Sequence, residues 1–174
     1  MEYEYYSKYV LEEGLPKADI GPIFENPTVF YNLVRDLTKP FDNFNKIAGI
    51  DAIGFIIAGG ISVDRKIGLV PIRKGGRLPT KNPDKESFTD YSDTKKTLEI
   101  NPSAVKKSDN VLVVDDWIET GSQVRSAIKL IKRNGGKIAG ISALCAHKNK
   151  KTKDLFDRYK LHAIRIIEDS DSSL

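Results

Sequence analysis

The fold of this 174-residue chain is decided by one stretch, Val111-Leu112-Val113-Val114-Asp115-Asp116-Trp117-Ile118-Glu119-Thr120-Gly121-Ser122-Gln123. Its first four residues form an uninterrupted apolar run, which is typical of a central parallel strand that is buried on both faces. Two acids follow at the carboxyl end of that strand, and a polar turn then leads into a helical pattern. Ligands bind at the carboxyl ends of the strands in parallel α/β sheets, so the sequence predicts a ligand site here.

The turn after the two acids suits a phosphate group. The N–H groups in the first turn of a helix lack partners within the helix and carry the positive end of its dipole. Thr120 and Ser122 add hydroxyl donors, and Gly121 permits close approach of the backbone. The carboxylates of Asp115 and Asp116 are acceptors for vicinal hydroxyls such as those of a ribose. The same acid pair also fits metal binding or capping of the turn, whereas neither Gly-x-Gly-x-x-Gly nor the P-loop pattern occurs in the chain.

Strand and helix patterns alternate around this stretch. Strands are predicted at residues 46–50, 67–72, 97–100, 111–114, 138–146 and 161–167, and helices at 3–13, 29–37, 52–64, 124–131 and 155–159. This alternation predicts an α/β fold with a mostly parallel, twisted sheet and helices on both faces. Residues 73–93 are rich in Gly, Pro and charge, and we expect a long functional loop there. The length fits one domain, with a small N-terminal segment at residues 1–45 and the α/β core at residues 46–174.

The composition of the chain indicates its cellular compartment and the kinds of partner that it binds. The most apolar stretch, residues 47–63, is too short to span a bilayer, and no secretory signal precedes it, so we expect no membrane association. Cys145 is the only cysteine and lies in an apolar run, which predicts a buried thiol in a cytoplasmic protein without disulfides. The net charge is +4, but the basic run at residues 147–153 has no interleaved aromatic residues. We therefore expect a solvated loop there rather than a nucleic-acid site.

Several motifs resemble those of the type I phosphoribosyltransferases, and of the adenine phosphoribosyltransferases among them. The quoted stretch resembles the phosphoribosyl pyrophosphate signature of that family. Ile47-Ala48-Gly49-Ile50-Asp51-Ala52-Ile53-Gly54-Phe55, Ile72-Arg73-Lys74-Gly75-Gly76-Arg77-Leu78-Pro79 and Leu98-Glu99-Ile100 match the family in order and spacing. The resemblance covers residues 46–147 well and residues 20–45 loosely. It implies the doubly covered α/β sheet described above together with a small N-terminal hood.

The resemblance also implies roles for individual residues. The ribose hydroxyls would be held by Asp115 and Asp116, and the 5-phosphate by Glu119, Thr120, Gly121, Ser122 and Gln123. The pyrophosphate loop would consist of Asp51, Ala52, Ile53 and Gly54, with positive charge from Arg73, Lys74 and Arg77. A mobile lid would carry Asp90, which would manage a proton at the purine, and Tyr91. Phe30 and Tyr31 would cover the base from the hood, whereas we expect Trp117 to pack at the sheet edge.

The activity implied is a Mg²⁺-dependent transfer of ribose 5-phosphate from phosphoribosyl pyrophosphate to a purine base, with adenine favoured. The metal would be held mainly by the substrate rather than by protein ligands, and the family implies a homodimer. Six residues depart from the family pattern. Ile53 stands where Arg is usual, Glu119 replaces a small residue and Gln123 replaces a hydroxyl residue. Asn32 and Leu33 stand where the adenine enzymes favour a basic residue and Asp, and Thr28 replaces a Gly. Two alternatives stay open, a hypoxanthine or guanine phosphoribosyltransferase and a non-catalytic regulator that senses phosphoribosyl pyrophosphate or a nucleotide.

Overall fold

The architecture is known from a computed structural model that describes residues 1–11, 18–89 and 94–168. In chain order the elements are α1 (Tyr3–Ser7), α2 (Gly21–Glu25), α3 (Pro27–Thr38), β1 (Lys46–Ile50), α4 (Ile53–Arg65), β2 (Gly68–Lys74), β3 (Asp84–Thr89), β4 (Lys95–Ile100), β5 (Asn110–Ile118), α5 (Ser122–Arg133), β6 (Lys137–Lys148), α6 (Lys153–Arg158) and β7 (Leu161–Glu168). A short 3-10 helix, Pro102–Ala104, joins β4 to β5.

The strands form a seven-stranded sheet in the order β3-β4-β2-β1-β5-β6-β7. Strands β2, β1, β5, β6 and β7 run parallel, whereas β4 pairs antiparallel with both β2 and β3. The predicted fold class, a mostly parallel sheet with helices on both faces, is therefore confirmed. Consecutive parallel strands need a crossover, and α4, α5 and α6 provide these connections.

Apolar side chains are buried on both faces of the sheet. On one face, α5 buries the helical stripe that the sequence predicts, namely Val124, Ala127, Ile128 and Ile131. On the other face, α1 to α4 pack over a second apolar cluster that contains the buried thiol of Cys145. The strands between them are covered on both sides, which explains their continuous apolar runs.

The predicted N-terminal helix is shorter than expected. Helix α1 ends at Ser7 rather than at residue 13. Leu11 instead forms a β-bridge with Asp19, in which the two residues exchange N–H···O bonds of 2.8 and 3.0 Å. The backbone therefore finds hydrogen-bond partners outside a helix. The prediction of a helix over residues 3–13 was wrong at residues 8–11, and residues 12 and 13 lie outside the described residues.

The expectation of a long loop over residues 73–93 was wrong in part. Strand β2 extends through Lys74, and β3 pairs with β4 from Asp84 to Thr89. Arg133 of α5 holds β3 in place, because its N–H groups bind both carboxylate oxygens of Asp84 and one of Glu86 at distances from 2.7 to 3.0 Å. Asp90 and Tyr91 lie outside the described residues.

In the described parts of the chain, no helix has both the length and the apolar character that a bilayer crossing demands.

A test of the core packing is the substitution Gly140→Ala. A Cβ atom at Gly140 would lie 2.2 Å from Cε1 of Phe41 and 2.8 Å from the carbonyl oxygen of Lys160. Because the carbonyl oxygen of Lys160 belongs to the backbone, it cannot easily move away from the added methyl group. We therefore expect a loss of about 1–3 kcal/mol in the free energy of unfolding, measured by urea titration. The matched control is Gly59→Ala in α4, where a Cβ would meet no atom within 4 Å. An unchanged stability of the Gly140 variant would contradict the packing described.

Candidate active site

Three strand ends bring the predicted site residues to one edge of the sheet. Strand β1 is in register with β2 through Ile50 and Ile72, and with β5 through Gly49 and Val114. In the sheet, β1 has β2 as its neighbour on one side and β5 on the other. The chain continues from β1 to β2, and the later strands β5, β6 and β7 are added on the opposite side of β1. The strand order therefore reverses between β1 and β5. Such a reversal opens the crevice in which open α/β sheets bind ligands.

The two acids of β5 lie at this reversal. Asp115 is buried, with 5% of its surface exposed, and its Oδ1 accepts the N–H of Asp116 at 3.0 Å. Gly54, at the start of α4, lies so close that a Cβ there would be 3.0 Å from the carbonyl oxygen of Val114 and 3.5 Å from Oδ1 of Asp115. The structure thus brings Gly54 of the predicted pyrophosphate loop close to Asp115, one of the two predicted ribose acids.

The loop at residues 119–123 connects β5 to α5 through a tight turn. Gly121 has φ of 72°, a left-handed conformation that costs a glycine little. The hydroxyl of Thr120 donates to Oγ of Ser122 at 3.1 Å, and helix α5 begins at Ser122. The first-turn N–H groups of α5 therefore open onto the same edge as the two acids, as the sequence predicts.

The predicted pyrophosphate residues of β1 and β2 also meet. The carboxylate of Asp51 lies 3.8 Å from Nε of Arg73 and accepts the backbone N–H of Lys74 at 3.3 Å. The peptide bond between Asp51 and Ala52 is cis. Ile53, where the family pattern has Arg, packs its apolar side chain against the cluster beneath α1 to α4. This position adds no charge to the site.

A cavity of about 790 Å³ opens at this edge. The predicted site residues in its wall are Lys74, Arg77, Asp115, Glu119, Thr120, Gly121, Ser122 and Gln123. Asp51, Gly54, Arg73 and Asp116 are neighbours of these residues, but they are not in the wall. One concave surface therefore combines acids, cations and a helix N-terminus.

Other wall residues were not predicted from the sequence. They are Gly75, Gly76, Lys85, Phe88, Lys96, Thr97, Glu99, Ile118, Val124, His147 and the expected edge residue Trp117. Trp117 packs partly against the apolar core, and its ring lies 6.3 Å from that of His147. These two residues sit on β5 and β6 at paired strand ends, a placement that only the register of the sheet reveals.

The predicted base-covering residues lie elsewhere. Phe30 packs edge-on against Phe24 at 5.3 Å and against Gly60 of α4. Tyr31 is half exposed, and its hydroxyl accepts a hydrogen bond from Nη1 of Arg35 at 2.9 Å. Neither side chain lines the cavity.

Comparisons with known proteins give the family of the chain. The model of the phosphoribosyl transferase domain matches residues 28–171. The chain belongs to this family. It is 37% identical over 134 residues to an adenine phosphoribosyltransferase of Dinoroseobacter shibae, an alignment that covers 76% of this chain and 74% of that protein. It is 34% identical over 135 residues to one of Thermobifida fusca, with 76% of each chain covered.

A solved structure supports the same assignment. The adenine phosphoribosyltransferase of Rhodothermus marinus is 27% identical, with a TM-score of 0.81 over 95% of this chain and 98% of that chain. The predicted type I phosphoribosyltransferase family and its resemblance to the adenine phosphoribosyltransferases are confirmed.

In this phosphoribosyltransferase, Glu99 holds the loop that carries Arg77. Glu99 is 1% exposed, and Oε2 accepts the N–H of Leu78 at 3.3 Å, while Oε1 pairs with Nζ of Lys85 at 2.9 Å. A hydrogen bond from the backbone of Gly76, and then the ammonium of Lys85, lower the pKa of Glu99. The carboxylate therefore fixes the loop between β2 and β3 in its ionised form.

Asp115 and Asp116, at the end of β5, are the candidate metal ligands of this site. Among the described residues no group of three or more His, Cys, Asp or Glu side chains is arranged to hold a metal ion. The acids at the end of β5 nevertheless offer carboxylate oxygens, the ligand type that Mg²⁺ prefers. They fit an ion that takes most of its ligands from a substrate and from water.

The substitution Glu99→Gln tests how this loop is held. At about pH 7 we expect the free energy of unfolding to fall by about 1–3 kcal/mol, because the backbone N–H groups of Gly76 and Leu78 lose a charged acceptor. The pKa of Glu99 is lowered in the fold, so its stabilisation is complete above the ordinary pKa of 4.5 and is lost as the pH falls through the lower, folded pKa.

The measurement is urea unfolding of wild type and variant between about pH 7 and about pH 3. The difference between the two proteins should shrink toward acidic pH. The matched control is Glu168→Gln, which alters an exposed pair with Lys148 and should change stability little at any pH. A difference that stays constant with pH would remove the assigned role of the ionised Glu99.

Proposed function

We propose that this chain is a purine phosphoribosyltransferase that transfers the 5-phosphoribosyl group of phosphoribosyl pyrophosphate to adenine, forming AMP and releasing pyrophosphate. The observation that carries the proposal is the cavity at the β1–β5 reversal, whose wall contains Asp115 and the loop at residues 119–123. The curated relatives named above are adenine phosphoribosyltransferases, which favours adenine over hypoxanthine or guanine and an enzyme over a non-catalytic sensor.

The ribose 5-phosphate part of the substrate would lie along β5 and the start of α5. Asp115 and Asp116 would accept hydrogen bonds from the ribose hydroxyls. Residues 119–123, the phosphate loop, would surround the 5-phosphate with first-turn N–H groups and with the hydroxyls of Thr120 and Ser122.

The pyrophosphate part would lie toward β2. Lys74 and Arg77 line the cavity and supply positive charge, and Arg73 is held behind them against Asp51. The loop of Asp51, Ala52, Ile53 and Gly54 would form the floor beneath the pyrophosphate. Asp115 and Asp116 would help to hold Mg²⁺, which when bound would supply positive charge to offset the charge of the pyrophosphate leaving group.

Bond cleavage at the anomeric carbon gives a transition state with oxocarbenium character, as in other glycosyl transfers. Water must be kept from that carbon, because it would compete with the purine nitrogen. Phe88 and the aromatic ring of Trp117 line the cavity and contribute apolar walls for this purpose. The roles of Asp90 in proton transfer and of Tyr91 on a lid remain predictions from the sequence.

The base would stack within the cavity itself. Because Phe30 and Tyr31 face other surroundings, we assign the base-covering role to Trp117 and Phe88, which both line the wall. A flat purine ring packs well against apolar aromatic surfaces. Phe30 then serves the packing of α3 against α4.

We also propose a cytoplasmic homodimer. Ile56 and Val63 on α4 and Leu69 on β2 are exposed apolar residues on neighbouring elements, a pattern that suits contact with a second copy. The buried thiol of Cys145 suits a reducing compartment. A monomer in sedimentation equilibrium would contradict the dimer. Residues 1–45 as a hood over a core of residues 46–174 remain a proposal as well.

The activity is tested with a panel of bases. Protein, Mg²⁺ and phosphoribosyl pyrophosphate are incubated with adenine, hypoxanthine, guanine or xanthine, and the nucleotide formed is measured by chromatography. We expect AMP and little of the other nucleotides. IMP or GMP as the main product would instead support the 6-oxopurine alternative. Binding of phosphoribosyl pyrophosphate without turnover of any base would support the sensor.

The ribose contacts are tested by Asp115→Asn and Asp116→Asn. Each change replaces a charged acceptor with a neutral one, and such a contact is typically worth about 1.5–3 kcal/mol. We expect calorimetry to show weaker binding of phosphoribosyl pyrophosphate by both variants. The matched control is Asp157→Asn, which removes a carboxylate from an exposed pair with Lys153, away from the cavity. Wild-type affinity in both the Asp115 and Asp116 variants would contradict the ribose assignment.

A further inference from the structure

We infer that Arg125 is a positioning residue that holds the phosphate loop in its binding shape from the side opposite the cavity. Its Nη1 donates a hydrogen bond to the carbonyl oxygen of Thr120 at 2.9 Å. The same guanidinium is fixed by Asp154 of α6, through Nε to Oδ2 at 3.0 Å and Nη2 to Oδ1 at 2.5 Å, and Nη2 also donates to the carbonyl of Lys151. The inference rests on the proposed function, because it assumes that residues 119–123 bind a phosphate.

The hydrogen bond to Thr120 sets the direction of the next N–H group. The peptide bond between Thr120 and Gly121 is trans, so its C=O and N–H point in opposite directions. With the carbonyl directed to Arg125, the N–H of Gly121 is directed away from the guanidinium, toward the cavity that Gly121 lines. Arg125 thereby aims a backbone donor at the place where phosphate oxygens would lie.

Packing behind the turn keeps this arrangement in place. A Cβ atom on Gly121 would lie 2.6 Å from Cδ1 of Leu155 and 3.2 Å from Nη1 of Arg125. The turn is therefore seated on α6 and on the guanidinium, with its open side toward the cavity. Without Arg125 the carbonyl of Thr120 would lose its partner, and the peptide would be able to rotate.

The role of Arg125 is one of shape rather than charge. Its positive charge is compensated by the carboxylate of Asp154, whose pKa is lowered by the hydrogen bond from Arg125. A role of Arg125 in the shape of the loop and a role of its charge predict opposite effects of Asp154→Asn on the affinity for ribose 5-phosphate. Removing the compensating carboxylate leaves more positive charge near the phosphate and would tighten binding if charge dominated. It would loosen binding if the orientation of the guanidinium dominated.

The experiment measures binding of ribose 5-phosphate and of Mg²⁺-pyrophosphate by calorimetry, with the fluorescence of Trp117, the single tryptophan, as a second readout. For Arg125→Gln we expect the Kd of ribose 5-phosphate to rise about tenfold, while that of pyrophosphate changes less than about twofold. Asp154→Asn should weaken ribose 5-phosphate binding in the same direction. Arg125→Lys, which keeps a donor within reach of Thr120, should restore part of the affinity.

The matched control is Lys132→Gln, which removes the same charge from the same helix. Lys132 donates to the hydroxyl of Tyr159 at 2.9 Å and does not contact the phosphate loop. We expect it to bind ribose 5-phosphate as wild type does. If Arg125→Gln fails to fold, as judged by its melting transition, the affinities of Asp154→Asn and Arg125→Lys for ribose 5-phosphate decide whether Arg125 positions the phosphate loop.

The outcomes distinguish the positioning role from the proposed function beneath it. Weaker ribose 5-phosphate binding in the Arg125 and Asp154 variants, with unchanged pyrophosphate binding, supports the positioning role. Wild-type affinity in Arg125→Gln, equal losses for both ligands, or tighter binding in Asp154→Asn overturns it while the proposed function stands. A wild-type protein that binds neither ligand overturns the proposed function itself.

Discussion

The close packing of α4 against β1 at Gly49 is the contact on which the site depends. A Cβ atom at this position would lie 2.6 Å from the carbonyl oxygen of Gly54 and 2.8 Å from Cβ of Ala58. Because Gly49 has no side chain, the first turn of α4 packs closely against the end of β1. Gly54, in that turn, lies next to the end of β5. A larger residue at Gly49 would push α4 outward and move Gly54 away from Asp115. Two glycines thus decide how closely the start of α4 approaches the end of β5.

Strand β3, at the edge of the sheet, is held to α5 by ion pairs as well as by the packing of Phe88 against the core. Strand β3 is an edge strand with alternating exposed residues, and Arg133 and Lys129 of α5 bind its acids. The hydrogen bond from Arg133 lowers the pKa of Asp84, so the pairing acts on ionised groups. Because Phe88 on this strand lines the cavity, one wall is fixed to the helix whose first turn forms the phosphate loop. Charged edge strands also resist pairing with other chains.

The buried strands and the turn at Thr120-Gly121 could be predicted from the sequence, because continuous apolar runs and turn residues are local signals. Strand β3 could not, since Asp84 and Glu86 are stabilised by Arg133, which lies 49 and 47 residues further along the chain. The cavity contacts of Trp117 and His147 also escaped prediction, because they depend on the register between β5 and β6. Helical spacing identified α3, but it does not tell which neighbour Phe30 contacts. Long-range pairing therefore accounts for most of what the sequence did not reveal.

The replacement of the usual Arg by Ile53 shifts the positive charge of the site toward β2. Lys85 lines the cavity, but its ammonium is paired with Glu99, the residue that holds the loop between β2 and β3. In the part of the chain that the structure describes, the side chains of Lys74 and Arg77 make no ion pair, and both face the cavity. A pyrophosphate bound there would meet these two cations at short range in a partly enclosed cavity, where charges interact more strongly than in water. The geometry of the loop after β2, fixed by Glu99, therefore matters more here than in a chain that carries a cation at the position of Ile53.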